Sequence, residues 1–255
     1  MLVFPQLVTG VVALYPVTKR LAARTVVNTL EDGHTVVFAD PDAEGAAWEL
    51  KASGLTRVEW DAIESLFQAT SGRWQTFTFL DPTANLLSKS EEFGASAWTN
   101  GALLQLTPGI DDPFGTTRAT RVINAGQAAE AVAQTLSVPD NFQYCLSVWA
   151  RTIGGSSVTL IAGGATKKLS LTTQWARLFL TGSQGQTFGV QLDAGGSVDL
   201  FGMQVEAQLA PSDYKETGAS GGVHRKARFA EDRIAVKAQA TDMYDAVVRI
   251  VNTES

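Results

Sequence analysis

Apolar and polar residues alternate along much of the chain, and this period of two is typical of β-strands with one buried face. The strictest case runs from Tyr144 to Arg151, with Tyr, Leu, Val and Ala on one side and Cys, Ser, Trp and Arg on the other. Further runs recur at intervals of roughly ten residues, a spacing typical of a two-sheet sandwich. They cover 158–162, 175–180, 188–192 and 198–205.

The two ends of the chain carry a second set of short apolar runs. Near the N-terminus they predict strands at 11–15, 24–30, 35–39, 48–52 and 74–80. Glu31-Asp32-Gly33 lies between two of these runs and predicts a hairpin turn. Two more runs follow Tyr214, at 234–238 and 247–251. Because two or three strands do not form a stable domain alone, we expect them to pair with the N-terminal strands.

One helix is predicted at about 56–71. Thr56 and Glu59 form a Thr-x-x-Glu capping box, and Gly72 stands where a helix C-terminus is expected. The apolar face of this helix is predicted from residues at helical spacing, namely Val58, Ile63, Leu66 and Phe67.

Glycine usage separates the middle of the chain from its beginning. Of the 23 glycines, five precede Gly94, so the middle is rich in the turns that an all-β sandwich needs. We therefore predict one split β domain, 1–85 plus 212–255, interrupted by an inserted sandwich at 86–211. The interruption falls in loops, where insertions are tolerated.

Composition excludes several function classes. The 20 Lys+Arg against 26 Asp+Glu give a formal charge of -6, which argues against a nucleic-acid binder. A single cysteine, Cys145, excludes an intramolecular disulfide and any site with two thiolates. With only His34 and His224 in the chain, a multi-histidine metal centre is also disfavoured.

Acidic residues are plentiful but form no recognisable catalytic string. A glycosidase needs two carboxylates roughly 5 to 9.5 Å apart across a cleft, whereas adjacent acids on a strand point to opposite faces. Asp111-Asp112, in a Gly/Pro loop, is an alternative calcium position, although it lacks the regular acidic spacing of a calcium loop. No nucleophile elbow, phosphate loop or dinucleotide fingerprint occurs. We predict no enzymatic activity, no metal site and no cofactor.

Segments in order along the chain resemble a β-sandwich module that is frequent in bacteriophage tail proteins. They are Asn85–Phe93 followed by Ala97-Trp98, Asp112–Gly115 with Ala119, Ser147–Arg151, Trp175–Arg177, Phe201–Glu206 and Ser212–Thr217. Such modules resemble carbohydrate-binding jelly rolls. The flanking parts resemble distal tail or baseplate proteins of long-tailed phages, through Phe4–Leu7, Leu30–Gly33, Gly54–Glu59 and Phe77–Pro82.

The resemblance implies a fold and a role. The fold would be mainly β: a split β-barrel or sandwich domain with one helix, interrupted by an inserted jelly-roll-like β-sandwich. Six copies would form a homohexameric ring at the virion tail tip, joining the tail tube to the baseplate hub proteins. The inserted sandwich would project outward and contact host surface glycans, although a sandwich fold alone does not establish sugar binding. A stand-alone soluble carbohydrate-binding protein is the alternative.

Two Trp/Arg pairs are the candidate carbohydrate-binding residues. Trp149 with Arg151, and Trp175 with Arg177, each stand two apart, so each pair shares one strand face. A flat indole beside a polar fork is a usual way to hold a sugar. The alternative is that the tryptophans fill the sandwich core while the arginines pair with acids. Trp98, in a predicted loop, is expected to be exposed or to cap the sandwich end.

The only concentrated positive charge lies in the C-terminal segment, at Arg225, Lys226 and Arg228. We expect it to contact an acidic neighbouring subunit rather than DNA, given the negative charge of the whole chain; a solvated strand would look the same. No run approaches the roughly 18 apolar residues of a membrane span. The start of the chain lacks the positive charge of a signal peptide. We expect synthesis and assembly in the host cytoplasm.

Overall fold

The computed structural model describes residues 1–252, apart from the side chains of 41–44. The fold is mostly β, with 49% of residues in strands and one helix in the described chain. The residues form two compact units. The first contains 1–8, 12–79 and the chain from 224 onward; the second contains 9–11 and 80–223. The division into two domains with boundaries at 85/86 and 211/212 stays a prediction, because it concerns independent folding.

Sixteen strands and helix α1 (Arg57–Ala69) make up the described structure. The first seven strands along the chain are β1 (Val17–Thr29), β2 (Thr35–Leu55), β3 (Phe77–Leu80), β4 (Thr99–Asn100), β5 (Leu104–Ile110), β6 (Ala119–Asn124) and β7 (Glu130–Thr135). The sandwich continues with β8 (Tyr144–Thr152), β9 (Ser157–Ala162), β10 (Ala165–Ser170), β11 (Ala176–Gly182), β12 (Thr187–Leu192) and β13 (Ser197–Glu206). The chain then forms β14 (Val223–Phe229), β15 (Val236–Ala240) and β16 (Met243–Asn252).

The first unit is built on one six-stranded sheet. Its order is β1-β2-β16-β14-β3, and β15 pairs with the other part of β16. The C-terminal strand β16 therefore pairs directly with β2, as the pairing argument predicts. The sheet is open, so the barrel closure implied by the resemblance is not observed.

Helix α1 lies in the first unit, and the helix predicted at about 56–71 is confirmed. Thr56 is the N-cap: its hydroxyl accepts from the Glu59 backbone N–H, and the Glu59 carboxylate accepts from the Thr56 backbone N–H at 2.8 Å. The chain leaves the helix through left-handed residues at Ser71 and Gly72. The buried face consists of Glu59, Trp60, Ile63 and Leu66. Val58 was predicted to lie on that face but is 70% exposed.

An aromatic cluster forms the core of the first unit. Phe79 meets Trp48 and Phe4 edge-on, with ring centroids 5.0 and 5.7 Å apart. Phe77 and Phe229 lie 4.9 Å apart. Four of these five rings come from three strands, β2, β3 and β14, that are distant in sequence, so the cluster joins the N-terminal and C-terminal parts of the unit.

The second unit is a sandwich of two five-stranded antiparallel sheets. The β9 sheet has the order β10-β9-β12-β7-β4, and the β8 sheet has the order β11-β8-β13-β6-β5. The facing side chains are fully buried, including Val148, Leu200, Leu160 and Val190. The sandwich prediction and its strands at 144–151, 158–162, 188–192 and 198–205 are confirmed.

Two local predictions fail because tertiary packing overrides the apolar pattern. Residues 11–15 were predicted as a strand but form none, and Val12 and Ala13 are buried as part of an irregular segment. The strand predicted at 74–80 begins only at Phe77. Trp74 lies before it and is 71% exposed.

Candidate functional site: an aromatic and arginine face of the sandwich

The two Trp/Arg pairs meet on one face of the β8 sheet. Arg177 of β11 is directly opposite Trp149 of β8, and Trp149 is opposite Phe201 of β13. Residues directly opposite each other in a sheet project from the same face. Val148 and Ala150, on the other side of β8, are buried in the sandwich core. The row from Arg177 to Phe201 therefore lies on the outer side of the sheet, which we call the Trp149 face.

A second row on the Trp149 face holds a buried carboxylate between two arginines. Arg151 and Arg121 both stand opposite Asp199. Arg121 binds Asp199 with two hydrogen bonds, Nε to Oδ1 at 2.7 Å and Nη2 to Oδ2 at 3.2 Å, and Arg151 Nε donates to Oδ2 at 2.9 Å. Asp199 is 1% exposed. This fork fixes both guanidinium groups in place.

Two loops bring further aromatic rings to the face. The Arg151 guanidinium lies over the ring of Trp175, 4.8 Å from its centroid. The ring of Phe114 packs edge-on against Trp149 and Phe201, with centroids 5.7 and 5.8 Å away. The Phe114 side chain is nevertheless 57% exposed. It can therefore offer an apolar surface to a ligand.

Asp112 builds the turn that presents Phe114. Its carboxylate accepts hydrogen bonds from the backbone N–H groups of Phe114, Thr116 and Arg118, and from the Thr116 hydroxyl. Burial raises the pKa of Asp112, but these hydrogen bonds outweigh burial, so the pKa lies below its ordinary value. The carboxylate is thus used within the loop. Among residues 1–252, no group of three His, Cys, Asp or Glu side chains is placed to hold a metal.

Several donors on the Trp149 face have no partner among the described residues. The indole N–H groups of Trp149 and Trp175 and the Nε–H of Arg177 are buried and make no hydrogen bond in the described chain. Arg177 donates once, from Nη2 to the Ser147 hydroxyl at 3.0 Å. Unmade hydrogen bonds of buried groups are costly, so they mark a place where a partner would stabilise the protein.

One end of the same sheet face is closed by other parts of the sandwich unit. The Tyr214 ring packs against Phe201, with centroids 5.5 Å apart, and lies over Gly202. Gly202 has φ +61°, and a Cβ there would approach the Tyr214 ring at 3.1 Å, so glycine is required at this position. Glu206 accepts from Lys215 Nζ at 2.7 Å. Burial raises the pKa of Glu206, but Lys215 and Ser212 lower it further than burial raises it.

Trp98, the fifth predicted carbohydrate-binding residue, does not lie on this face. Its side chain is 6% exposed, its indole N–H donates to the Lys89 carbonyl at 2.9 Å, and its ring lies 5.0 Å from that of Phe93. The expectation of an exposed indole is wrong, because the loop folds back and buries the ring. The alternative of a residue that caps the sandwich core describes Trp98 better.

Sequence reasoning missed four residues of the face as binding candidates: Phe114, Arg121, Phe179 and Asp199. Phe179 is 50% exposed and stands two residues after Arg177 on β11, opposite Ser147. The alternation of β11 could have identified Phe179, since Trp175 and Arg177 were already assigned to that face. Phe114 and the Asp199 fork depend on loop conformation and strand pairing, which one-dimensional spacing does not contain.

The basic cluster of the C-terminal segment lies on β14, in the first unit. Lys226 and Arg228 alternate with the buried Ala227 and Phe229, so they project to the opposite side from Arg225. Arg228 donates to the backbone carbonyls of Arg73 and Trp74. The predicted role of this cluster in subunit contact stays a prediction, and the three cations do not form one patch.

A second exposed surface belongs to the first unit, at the distal part of the β1–β2 hairpin, residues 20–40. Among residues 1–252, the β2 residues before Ala46 pair with β1, and β16 pairs with β2 from Ala46 onward. The hairpin exposes apolar side chains on both of its faces: Leu21, Val27, Leu30, Val36, Val37 and Phe38. Val27 is directly opposite Val37, which concentrates apolar surface on one face.

No family model and no curated protein matches the chain. Among solved structures, it is similar to a CBM22 xylan-binding domain from Paenibacillus barcinonensis at 18% identity, over 49% of this chain and 96% of that one, with a TM-score of 0.37. It is also similar to a CBM61 module in complex with β-1,4-galactotriose, at 13% identity over 48% of this chain and 97% of that one, with a TM-score of 0.34. The enzymatically active domain of tailspike protein 4 of bacteriophage CBA120 is similar at 11% identity, over 50% of this chain and 22% of that one, with a TM-score of 0.36. At these identities and scores, the likeness assigns no ligand to this chain.

In the part of the chain that the structure describes, no helix has both the length and the apolar character required to cross a membrane.

Proposed function

We propose that this chain is a structural subunit of a bacteriophage tail tip that assembles with copies of itself into a ring. The ring would hold six copies, as the resemblance to distal tail proteins implies, and join the tail tube to the baseplate hub. The sandwich unit would serve as a glycan-contacting module at the virion tail tip. Localisation and these partners are part of the proposal.

The exposed hairpin is the observation that carries the assembly role. A two-stranded ribbon is marginally stable alone in water, and this one exposes Val27, Val37 and Phe38. Its two strand edges over 20–40 have no further strand partner within residues 1–252. Such a surface is a liability in a monomer unless a partner covers it. A second copy is the simplest partner, because homo-oligomers are the commonest assemblies.

A groove in the first unit supports docking of such a hairpin. This open groove of about 1020 Å³ is lined by apolar side chains that include Tyr15, Val236 and Val247. Its lining also includes the cations Arg233 and Lys237. The hairpin turn carries Glu31 and Asp32, which are opposite in charge to these two cations. A hairpin docked in the groove of the next copy makes a head-to-tail contact, which closes into a ring when the rotation permits.

Electron microscopy of the purified chain tests the assembly role. We expect negatively stained particles with a central opening and rotational symmetry. Single small particles at all protein concentrations, with no rings, would refute the proposal. A chain in which Val37 and Phe38 are both changed to Asp should give no rings and serves as the specificity control.

The Trp149 face favours glycan contact, the second part of the proposal. Sugars present apolar C–H faces to aromatic rings and hydroxyls to polar groups. Phe114 and Phe179 are exposed there, beside three arginines and three donors that lack partners among the described residues. If the monomer bound glycans with measurable affinity and no ring formed, the stand-alone carbohydrate-binding alternative would replace the tail-tip proposal.

A further inference from the structure

Arg177 is a half-buried cation that makes no ion pair among residues 1–252. Its only hydrogen bond joins Nη2 to the neutral Ser147 hydroxyl, while its Nε–H is buried without a partner in the described chain. Buried charges in proteins are normally paired, because taking a charge out of water is costly. Arg151 and Arg121 follow that rule by sharing Asp199. Arg177 is the exception on this face.

The two central rows of the Trp149 face carry more positive than negative charge. Arg121, Arg151 and Arg177 project from these rows together with the carboxylate of Asp199, while Glu206, at the closed end of the face, is paired with Lys215. Asp111 contacts Arg151 through its backbone carbonyl, with Arg151 Nη2 donating at 3.4 Å. This excess stands against a chain whose formal charge is -6. A local surface of opposite sign to the whole protein attracts anions by charge complementarity.

We propose that the Trp149 face binds an acidic saccharide, with a sugar-borne oxyanion received by Arg177 and the sugar ring lying against the neighbouring aromatic residues. A guanidinium group matches a carboxylate or phosphate with two parallel hydrogen bonds, and among the described residues Arg177 has no carboxylate in that role. Phe179 stands two positions along β11 on the same face and offers exposed apolar surface. This inference rests on the proposed glycan contact and specifies the ligand class.

The direct test measures binding of the full chain to matched charged and neutral polysaccharides. The probes are polygalacturonate and alginate for carboxylate, a glycerol-phosphate teichoic acid for phosphate, and carboxyl-reduced polygalacturonate as the neutral counterpart. We expect at least one acidic probe to bind about tenfold or more tightly than the neutral polymer, with affinity falling as salt rises. Carboxylate and phosphate probes distinguish the two sources of the oxyanion.

The outcomes separate this inference from the function beneath it. Equal binding of charged and neutral polymers would overturn the acidic preference but leave glycan contact standing. Binding of a neutral polymer alone would do the same. Absence of binding to every probe would overturn the acidic-saccharide inference, and a failure on a broad neutral glycan panel as well would overturn glycan contact.

Variants place the binding at Arg177. Arg177→Gln removes the charge, and we expect it to weaken binding of the acidic probe about tenfold. Lys167→Gln, at an exposed position on β10 of the other sheet, removes the same charge and should change nothing. Melting curves show whether each variant folds. An Arg177→Gln protein that folds and binds the acidic probe as well as the parent would refute the assignment.

Discussion

In the part of the chain that the structure describes, the β1–β2 hairpin and the Trp149 face both contain groups without partners, but the missing partners differ in kind. The hairpin exposes apolar side chains such as Val37 and Phe38 and two strand edges. The Trp149 face has buried donors and the cation Arg177, which makes no ion pair among these residues, beside a carboxylate fork that is complete.

The kind of missing partner indicates what each surface can bind. Apolar side chains and strand edges are satisfied by another polypeptide, which supplies both burial and backbone hydrogen bonds. Indole and guanidinium donors are satisfied by acceptor oxygens, which sugars and their acidic groups supply in quantity. We therefore infer that the hairpin is a surface for self-assembly and the Trp149 face is a surface for a glycan.

The largest effect is expected from charge on the hairpin. Changing Val37 and Phe38 to Asp should abolish self-association, because burying two carboxylates in a protein interface costs more than the interface gains. The variant chain should remain folded as a monomer with a cooperative melting transition, since both side chains are more than half exposed. Val58→Asp, on the exposed side of α1, is the matched control and should assemble normally. Light scattering and thermal melting check both variants; normal assembly of the double variant would remove the hairpin from the interface.

The next effect is expected from Trp98, a tryptophan of the sandwich unit outside the Trp149 face. Trp98→Ala should lower the free energy of unfolding by about 4 kcal/mol, because it removes a buried ring and leaves a cavity. Glycan binding by the protein that remains folded should be unchanged. Trp149→Ala should behave in the opposite way, with most of the glycan affinity lost. Equal losses of stability and affinity in both variants would erase the distinction between core and face.

Removing the carboxylate of the fork should have a somewhat smaller effect. Asp199→Ala leaves Arg121 and Arg151 without a counter-charge, and we expect a loss of about 3 kcal/mol in the free energy of unfolding. Asp193→Ala breaks an exposed pair with Lys168 and should cost less than about 1 kcal/mol. Denaturant unfolding measures both. Similar small losses would mean that the fork contributes no more than an ordinary surface pair.

The smallest effect concerns pH and the Asp112 turn that presents Phe114. Because the pKa of Asp112 is lowered in the folded protein, the unfolded chain binds more protons in the acidic range. The contribution of Asp112 to stability is therefore present above the unfolded pKa and is lost as pH falls through the folded pKa. As pH falls below about 5, Asp112→Asn should show a shallower loss of stability than the parent. Parallel curves for the two proteins would show that the turn does not depend on the charged carboxylate.

Local signals were sufficient for part of the fold. The helix was predictable because the Thr56–Glu59 capping box fixes its start within four residues of sequence. Strand β8 was predictable because its alternation is strict. The failures at 11–15 and at Val58 arise where burial is decided by distant segments, which local periodicity does not describe.

The sequence predicts the two Trp/Arg pairs of the candidate site, but not the rows of residues across neighbouring strands that bring the pairs together. Spacing placed Trp149 with Arg151, and Trp175 with Arg177, on common faces. Bringing the pairs together requires the pairing of β8 with both β11 and β13, whose contacts span residues far apart in sequence. The burial of Trp98 depends on the conformation of its own loop, which brings the indole to the Lys89 carbonyl and the Phe93 ring, and residue spacing does not describe that conformation.

The central claim is that the chain assembles with itself through the first unit, and the absolute mass of the purified protein tests it most directly. Light scattering over a wide concentration range should give a species of six protomers of 27.2 kDa each, roughly 160 kDa. The Val37 and Phe38 double variant should give one protomer under the same conditions. A parent chain that stays at the mass of one protomer up to the highest concentration would contradict the claim.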